Sequence, residues 1–508
     1  WLTVRAQGLR SNLDGLGAKV EVRAGEASLR REVRSSSGYF SQSDLPLHFG
    51  LGDADSADYV RFLWPGGVKQ VEMDLPGKRA ATIEELNRKG TSCPILYAWD
   101  GERIRFVTDF LGGRAFGYLL APGRYNTPDT EETVKMEAFA LALRDGSYDV
   151  RFVNQLEEVL FYDRASLLVV DHPAEVEVYP NERLMPGPPF PSRKLYAVSG
   201  ARAPVLAIDH RGKDVTSLIA EKDRLYPDGF DLLPFKGYAE EHSLTLDLGP
   251  LEDGAQYVLL LHGWVDYADS SANLAASQAG VTLVPPYLEV SGDGDFAKAL
   301  PQMGFPAGLP KTMVVDLGGI VSAERNRVRI TTSMRLYWDR IQVAKVAPDV
   351  ELSVKELIPS KAELRRLGYP APYNPDGRKP SLYTYDRILD SELWGAHEGD
   401  YTRYGDVKPL LERVDDRYVV THHGDEVALR FEGAALGPRS EGLERSFFVV
   451  ADGFGKDMDL SSAFPDTVEP LPFHGMPSYP YPAEASRSLD DAVHRRYREE
   501  YNSRRVPR

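Results

Sequence analysis

Two groups of residues combine types and spacings suited to chemistry. The run Trp264-Val265-Asp266-Tyr267-Ala268-Asp269-Ser270-Ser271-Ala272-Asn273 comes after an apolar stretch and mixes aromatic rings with short acceptors. Sugars are held by an aromatic face covering C–H surface and by a few aimed hydrogen-bonding groups. Trp264 and Tyr267 would be the platform, Asp266, Asp269 and Asn273 the acceptors, and Trp338 within Met334-Arg335-Leu336-Tyr337-Trp338-Asp339 a second ring. The same residues suit an ordered loop whose Asp and Ser cap backbone amides, with Trp338 on a core strand. In the second group, Asp452, Asp457 and Asp459 crowd beside Gly453 and Gly455. Calcium takes six to eight oxygens from a flexible, glycine-containing loop, so calcium is the cofactor this spacing admits, with Lys456 weakening it. Asn12 with Asp14, and Asp293 with Asp295, are thinner versions, and every one of these loops also reads as a plain polar turn. His422-His423 has no partner at a metal-forming spacing and reads as a solvated turn, while His474, among Pro and Phe, reads as a packed, hydrogen-bonded core residue rather than a ligand or base.

Enzymatic signatures are mostly missing. The chain has no Gly-x-Ser-x-Gly elbow, Walker loop, His-Glu-x-x-His or dinucleotide glycine fingerprint. Carboxylate pairs are common, but a net charge of −16 makes them uninformative. That charge opposes a nucleic-acid or anionic-membrane surface, since both need clustered Lys and Arg. A single cysteine, Cys93, excludes an intrachain disulfide and a cysteine-based zinc site, and reads as a buried, inert thiol. No apolar run approaches the roughly 20 residues that span a bilayer; the longest, around 257–261, is strand-sized.

The elements that must position these residues are short strands bounded by turn formers, a texture that predicts sandwiches or barrels. Tyr148-Asp149-Val150-Arg151-Phe152-Val153, Val427-Ala428-Leu429-Arg430-Phe431 and Ser446-Phe447-Phe448-Val449-Val450 are examples. Thr82-Ile83-Glu84-Glu85 and Ser360-Lys361-Ala362-Glu363 read as capping boxes opening short helices, the first ending at Gly90 and the second at Gly368. The Pro-rich run Met185-Pro186-Gly187-Pro188-Pro189-Phe190-Pro191 marks a boundary. At 508 residues the chain exceeds one core, and the expected units are 1–85, 93–184, 192–347 (jelly-roll-like), 348–482 (loop-rich) and a helical tail at 483–508. In that tail Leu489, Val493, Tyr497 and Tyr501 recur every four residues, with Ser488 as cap, so the helix is expected to dock on its own chain or on a partner subunit.

The opening residues carry a further signal. Trp1-Leu2-Thr3-Val4-Arg5, then Ser11-Asn12-Leu13-Asp14-Gly15-Leu16-Gly17, then Lys19-Val20-Glu21-Val22 read as strand, glycine turn, strand. Gly38-Tyr39-Phe40-Ser41-Gln42-Ser43, Leu47-His48-Phe49-Gly50-Leu51-Gly52 and Val60-Arg61-Phe62-Leu63-Trp64-Pro65-Gly66-Gly67 come next, in that order. Together they resemble the ASPIC/UnbV domain, a small β module of the cartilage acidic protein family and of many bacterial proteins, usually found after a propeller of FG-GAP repeats. The chain opens inside a strand without an initiator Met, so it is expected to be the C-terminal portion of a longer product, and since it contains no FG-GAP calcium loop any propeller would lie upstream of Trp1. The region after Cys93 also resembles the part downstream of the module in large bacterial members, notably at 468–476, but no function travels with that resemblance.

The expectation is therefore a multi-domain all-β protein, a non-enzymatic extracytoplasmic binding or scaffold protein. Its partner would be a protein, a larger assembly or a glycan, without nucleic acid or a membrane span. The competing class is a carbohydrate-active or other hydrolytic enzyme whose acids come from scattered loops. Two carboxyls converging in a cleft would favour that rival.

Overall fold

The computed structural model describes residues 1–9, 11–85, 93–137, 140–292, 294–389, 394–482, 485 and 491–507. They form three all-β units. In the first, alternation places Leu2, Val4 and Ala6 of the strand Leu2–Gln7, and Ala57, Val60 and Phe62 of Ser56–Leu63, on buried faces around Trp64. The strands flanking the glycine turn do not pair with each other. Leu2–Gln7 lies between Leu47–Phe49 and Arg79–Glu84, whereas Lys19–Ala24 lies between Ala27–Glu32 and Ser56–Leu63 in a second sheet. The turn therefore carries the chain from one sheet to the other. Its sharpness needs Gly15, at φ 65°, where a Cβ would come 2.6 Å from that of Ala6. The side chain of Asn12 closes the loop by bonding both the N–H and the carbonyl of Leu16.

The second unit is a sandwich made from two distant stretches of chain. One sheet runs Glu131–Met136, Leu443–Asp457, Glu158–Pro173, Ser353–Leu357, and the other runs Gly405–Asp406, Lys361–Arg366, Asp425–Glu432, Ser147–Val153, Ile95–Trp99, Ile104–Asp109. Leu96, Val150, Phe152, Leu167, Leu429 and Val449 meet in the core between them. The segments 93–184 and 348–482, separated in the sequence-based expectation, thus share both sheets; local periodicity carries no record of which strands pair. Each large apolar side chain buried here contributes roughly 1.5–3 kcal/mol. The outer faces are covered too: the hairpin Tyr369–Tyr373/Leu382–Leu389 packs over Ile95, Tyr97 and Val153, and the coat 463–481 packs Phe473 and Tyr479 over Phe116, Phe161 and Phe454.

The third unit is inserted between the two stretches. Its sheets are Glu177–Pro180, Leu195–Arg202, Leu336–Val346, Tyr257–Val265, Lys311–Asp316 and Leu206–Asp209, Tyr238–Asp247, Arg327–Met334, Tyr287–Ser291, Ala297–Leu300, closing on Leu259, Leu261, Ile330 and Ile341. It is latched to the second unit by Lys311, whose ammonium lies 3.1 Å from Asp109 and 3.0 Å from Glu132, while Asp109 also accepts the Leu309 N–H. The first unit docks through Trp394, which sits in its core and donates its indole N–H to the Gln155 carbonyl.

Both expected capping boxes are strands. Ala362 and Leu364 of Lys361–Arg366 are buried while Lys361 and Arg365 are exposed, a period of two that outweighs the box. Thr82 and Ile83 pair in parallel with Arg5 and Ala6, and Glu85 accepts the amides of Leu9 and Ser11 instead of capping a helix. The rest of that first expected helix, and the expected cap Ser488, lie outside the described residues. The C-terminal helix Ala492–Tyr501 is capped by Asp491, which accepts the His494 N–H. It docks on its own chain: Tyr497 is buried and donates to the Tyr418 carbonyl, and Arg504–Val506 then pairs with Gly399–Tyr401. Among the described residues no helix is long and apolar enough to cross a membrane.

Several histidines are sealed into this packing. Burial pushes His262 and His397 each down to about 3, below the value near 6.5 of an unfolded chain. The unfolded state then binds more protons, so stability present above pH 6.5 is lost as pH falls toward 3. The melting temperature should drop by roughly 5–10 °C between pH 7 and pH 4, and His397→Gln should lose less over that interval in a calorimetric pH series.

Candidate functional site

A carboxylate–histidine cluster sits where the coat meets the second unit. The long strand Glu158–Pro173 pairs with Leu443–Asp457, but the register shifts between Tyr162 and Arg164. That bulge leaves Asp163 outside the ladder, beside Asp452 of the partner strand, and bulges commonly re-aim side chains in this way. Asp163 is fully buried and accepts the backbone amides of Asp415 and Asp416. Asp416 adopts φ 61°, a left-handed conformation tolerated by Asp that turns both amides toward Asp163. From the coat, His474 donates its backbone N–H and Nδ1 to Asp416 Oδ1, at 2.9 and 2.7 Å, and Nε2 to Asp452 Oδ1 at 2.9 Å. Asp163 Oδ2 lies 3.5 Å from Nδ1, and the Thr130 hydroxyl donates to Asp452 Oδ2 at 3.0 Å.

With carboxylates on both ring nitrogens, His474 is an imidazolium. Burial alone would lower its pKa, but the bonds to Asp416 and Asp452 outweigh burial and push it up to about 10. Asp163 is shifted away from the ionised form: burial pushes it up to about 7 against the pull of the two amides and of His474. Ligating atoms of Asp163, Asp416 and His474 all lie within 4.8 Å of one another, the one such group among the described residues.

Of the expected cation ligands, only Asp452 belongs to this cluster. Five residues along a strand place Asp457 on the opposite face. Asp457 accepts the Asp459 N–H and the Ser462 hydroxyl, and Asp459 accepts the Ser461 N–H and the Ser271 hydroxyl, so both stitch the coat together. Lys456 is buried and donates to the carbonyls of Thr467, Val468 and Glu469. Asp293 lies outside the described residues. His423 is buried rather than solvated, bridging the Tyr369 hydroxyl and the Gly395 carbonyl. Asp163, Asp416 and Thr130 have no local sequence signal, because Asp163 and Thr130 lie hundreds of residues from His474 and Asp416 lies in a different loop.

The expected sugar platform is a structural joint. Trp264 is 4% exposed and stacks on Tyr337 at 4.3 Å, and Trp338, 5% exposed, belongs to the core of the third unit. Asp266 pairs with Arg335, the Lys236 ammonium lies over the Tyr267 ring, and Asp269 caps the helix Ser270–Gln278 through Ala272. Asn273 is buried between the Tyr238 hydroxyl, the Tyr118 hydroxyl and the Leu119 carbonyl, tying this loop to the second unit. These acceptors are consumed within the chain.

Close by, a narrow cleft opens between the second and third units, lined by Asp129, Glu132, Glu182, Arg183, Lys311 and Met313. Burial, with the charges of Glu132 and Asp452, pushes Asp129 up to about 7, and burial likewise raises Glu182.

Residues 8–90 match the family model described as ASPIC and UnbV. The first unit is an ASPIC/UnbV domain. Its match stops short of both sandwiches, so the cluster and the cleft lie outside the ASPIC/UnbV domain. No curated protein and no solved structure matches the chain.

If residues 264–273 are a joint, Trp264→Ala should cost about 3–5 kcal/mol through the cavity it leaves, read as a lower denaturation midpoint.

Proposed function

We propose that this is a non-enzymatic, extracytoplasmic binding or scaffold protein that engages a protein or glycan partner through the ASPIC/UnbV domain. The observation that carries the reading is an aromatic pair on that domain. Tyr39 and Phe40 are 93% and 91% exposed, and their rings meet at 4.2 Å. Exposing two adjacent rings forgoes several kcal/mol of burial, which a binding surface regains on contact. Ser36, Ser37, Ser41, Gln42 and Ser43 flank the pair with short donors and acceptors. Apolar faces ringed by such groups suit a sugar or the rim of a protein interface. The extracytoplasmic setting rests on the resemblance to the cartilage acidic protein family. Tyr39→Ala/Phe40→Ala should weaken binding at least ten-fold without shifting the melting temperature, measured on a glycan array and by cross-linking to native partners. Unchanged binding in both would reject the surface.

A second reading as a hydrolase is favoured by the cleft, where Asp129, raised to about 7, lies near Glu132 and Glu182. A carboxyl in that range can serve as a general acid near neutrality. Under the binding reading, a panel of chromogenic glycosides and esters should show no turnover that Asp129→Asn removes. Turnover lost in that variant would install the hydrolase reading instead.

A further inference from the structure

We propose that Asp163, Asp416 and His474 bind one divalent transition-metal ion of the manganese or zinc class, with Asp452 orienting the histidine. This goes beyond the partner-binding reading and does not depend on it. The inference begins with the two sides of the imidazole. Histidines that ligate metals characteristically donate their other ring N–H to a carboxylate, which fixes the tautomer and aims the lone pair. His474 has this arrangement: Nε2 donates to Asp452 Oδ1 at 2.9 Å, and Asp452 is itself held by the Thr130 hydroxyl at 3.0 Å. The remaining nitrogen, Nδ1, faces two carboxylate oxygens, Asp416 Oδ1 at 2.7 Å and Asp163 Oδ2 at 3.5 Å.

The carboxylates also have holders besides the imidazole. The strand bulge and two main-chain amides hold Asp163, while the Tyr418 hydroxyl donates to Asp416 Oδ1 at 2.7 Å. A site whose first ligands are braced by such outer partners loses little freedom when an ion enters. In exchange for the ion, the Nδ1 proton and any proton carried by Asp163 leave to solvent, so the dication faces a neutral imidazole and two carboxylates. Two ligating carboxylates balance the charge of that dication.

Donor type selects the class. Calcium prefers six to eight oxygens, and this set offers one imidazole nitrogen with two carboxylates, a mixture suited to manganese or zinc. The His474 and Asp416 side chains keep 29% and 20% of their surface exposed, so the ion can enter from solvent and complete its shell with water. Asp457 and Asp459 do not compete for the same position, being engaged with the Asp459 and Ser461 N–H groups and the Ser462 hydroxyl in the turn that follows the strand.

The experiment uses the full chain, stripped with chelator and dialysed. Calorimetric titration with Mn²⁺, Zn²⁺ and Ca²⁺ should give one Mn²⁺ or Zn²⁺ per chain, with Ca²⁺ at least ten-fold weaker. Pulsed EPR of the Mn²⁺ form should show coupling to a single histidine nitrogen. Asp416→Asn and His474→Gln should weaken binding at least a hundred-fold, and Asp452→Asn about ten- to a hundred-fold, with folding checked by circular dichroism. Absence of Mn²⁺ and Zn²⁺ binding by the wild-type chain, Ca²⁺ binding as tightly as either, or a Mn²⁺ spectrum without nitrogen coupling would each overturn the proposal. These readings come from the wild-type protein, so they decide the question even if a variant fails to fold.

Discussion

The pairing of Glu158–Pro173 with Leu443–Asp457 is the constraint on which the rest of the molecule depends. It joins chain from either side of the third unit and seats the edge strand Glu131–Met136. Its register also decides which side chains share a core: Leu167 opposes Val449, and Leu160 opposes Gly455. A slip of one residue would turn every side chain to the other face. The bulge at Asp163 confines such a slip by ending one register and starting another, so the irregularity that aims the carboxylate also fixes the sheet.

Between units the contacts combine apolar packing, as of Trp394 in the first core and Leu309 against Ile95 and Tyr97, with tightly paired charges. Lys311 with Asp109 and Glu132 joins the two sandwiches, while within the second unit buried Arg114 pairs with Glu158 beneath the coat. Buried ion pairs add little net stability compared with apolar packing, but removing one partner strands the other charge at a cost of about 3–5 kcal/mol. Their value here is selectivity of arrangement: each unit has its own apolar core, and the charged latches specify how the cores are set against one another.

The all-β class was readable because half-buried strands alternate, as in Leu2, Val4 and Ala6 or Ala362 and Leu364. The ASPIC/UnbV domain was readable because its turns and Trp64 occur in order. The same alternation was missed where Ser360 and Glu363 mimicked a helix start, since a capping box records only two residues while the whole strand Lys361–Arg366 decides the outcome. Of the candidate site only Asp452 was singled out as a ligand, and with the wrong companions, Asp457 and Asp459. Asp163, Asp416, Asp452 and His474 converge only after distant strands have paired, so no local pattern names the four together. Of the aromatic and acidic residues at 264–273, Trp264 is covered by Tyr226 and Tyr337 of its own unit and Asn273 by Tyr118 and Leu119 of the second, contacts that no local pattern records.

The chain leaves the second unit after Pro173 and re-enters it at Ser353, with these strands side by side in one sheet, Asp171 opposite Ser353. During synthesis the ribosome therefore delivers half a sandwich, then a whole independent one, and only then the strands that complete the first. The half-made sheet waits with an unpaired edge, a template for association with other chains. Folding of the third unit in the interval draws its two ends together and shortens the effective loop that the returning strand must close. A slow, entropy-limited closure is thereby converted into the docking of two preformed pieces, and the molecule inherits a fixed order of assembly from the position of a single insertion.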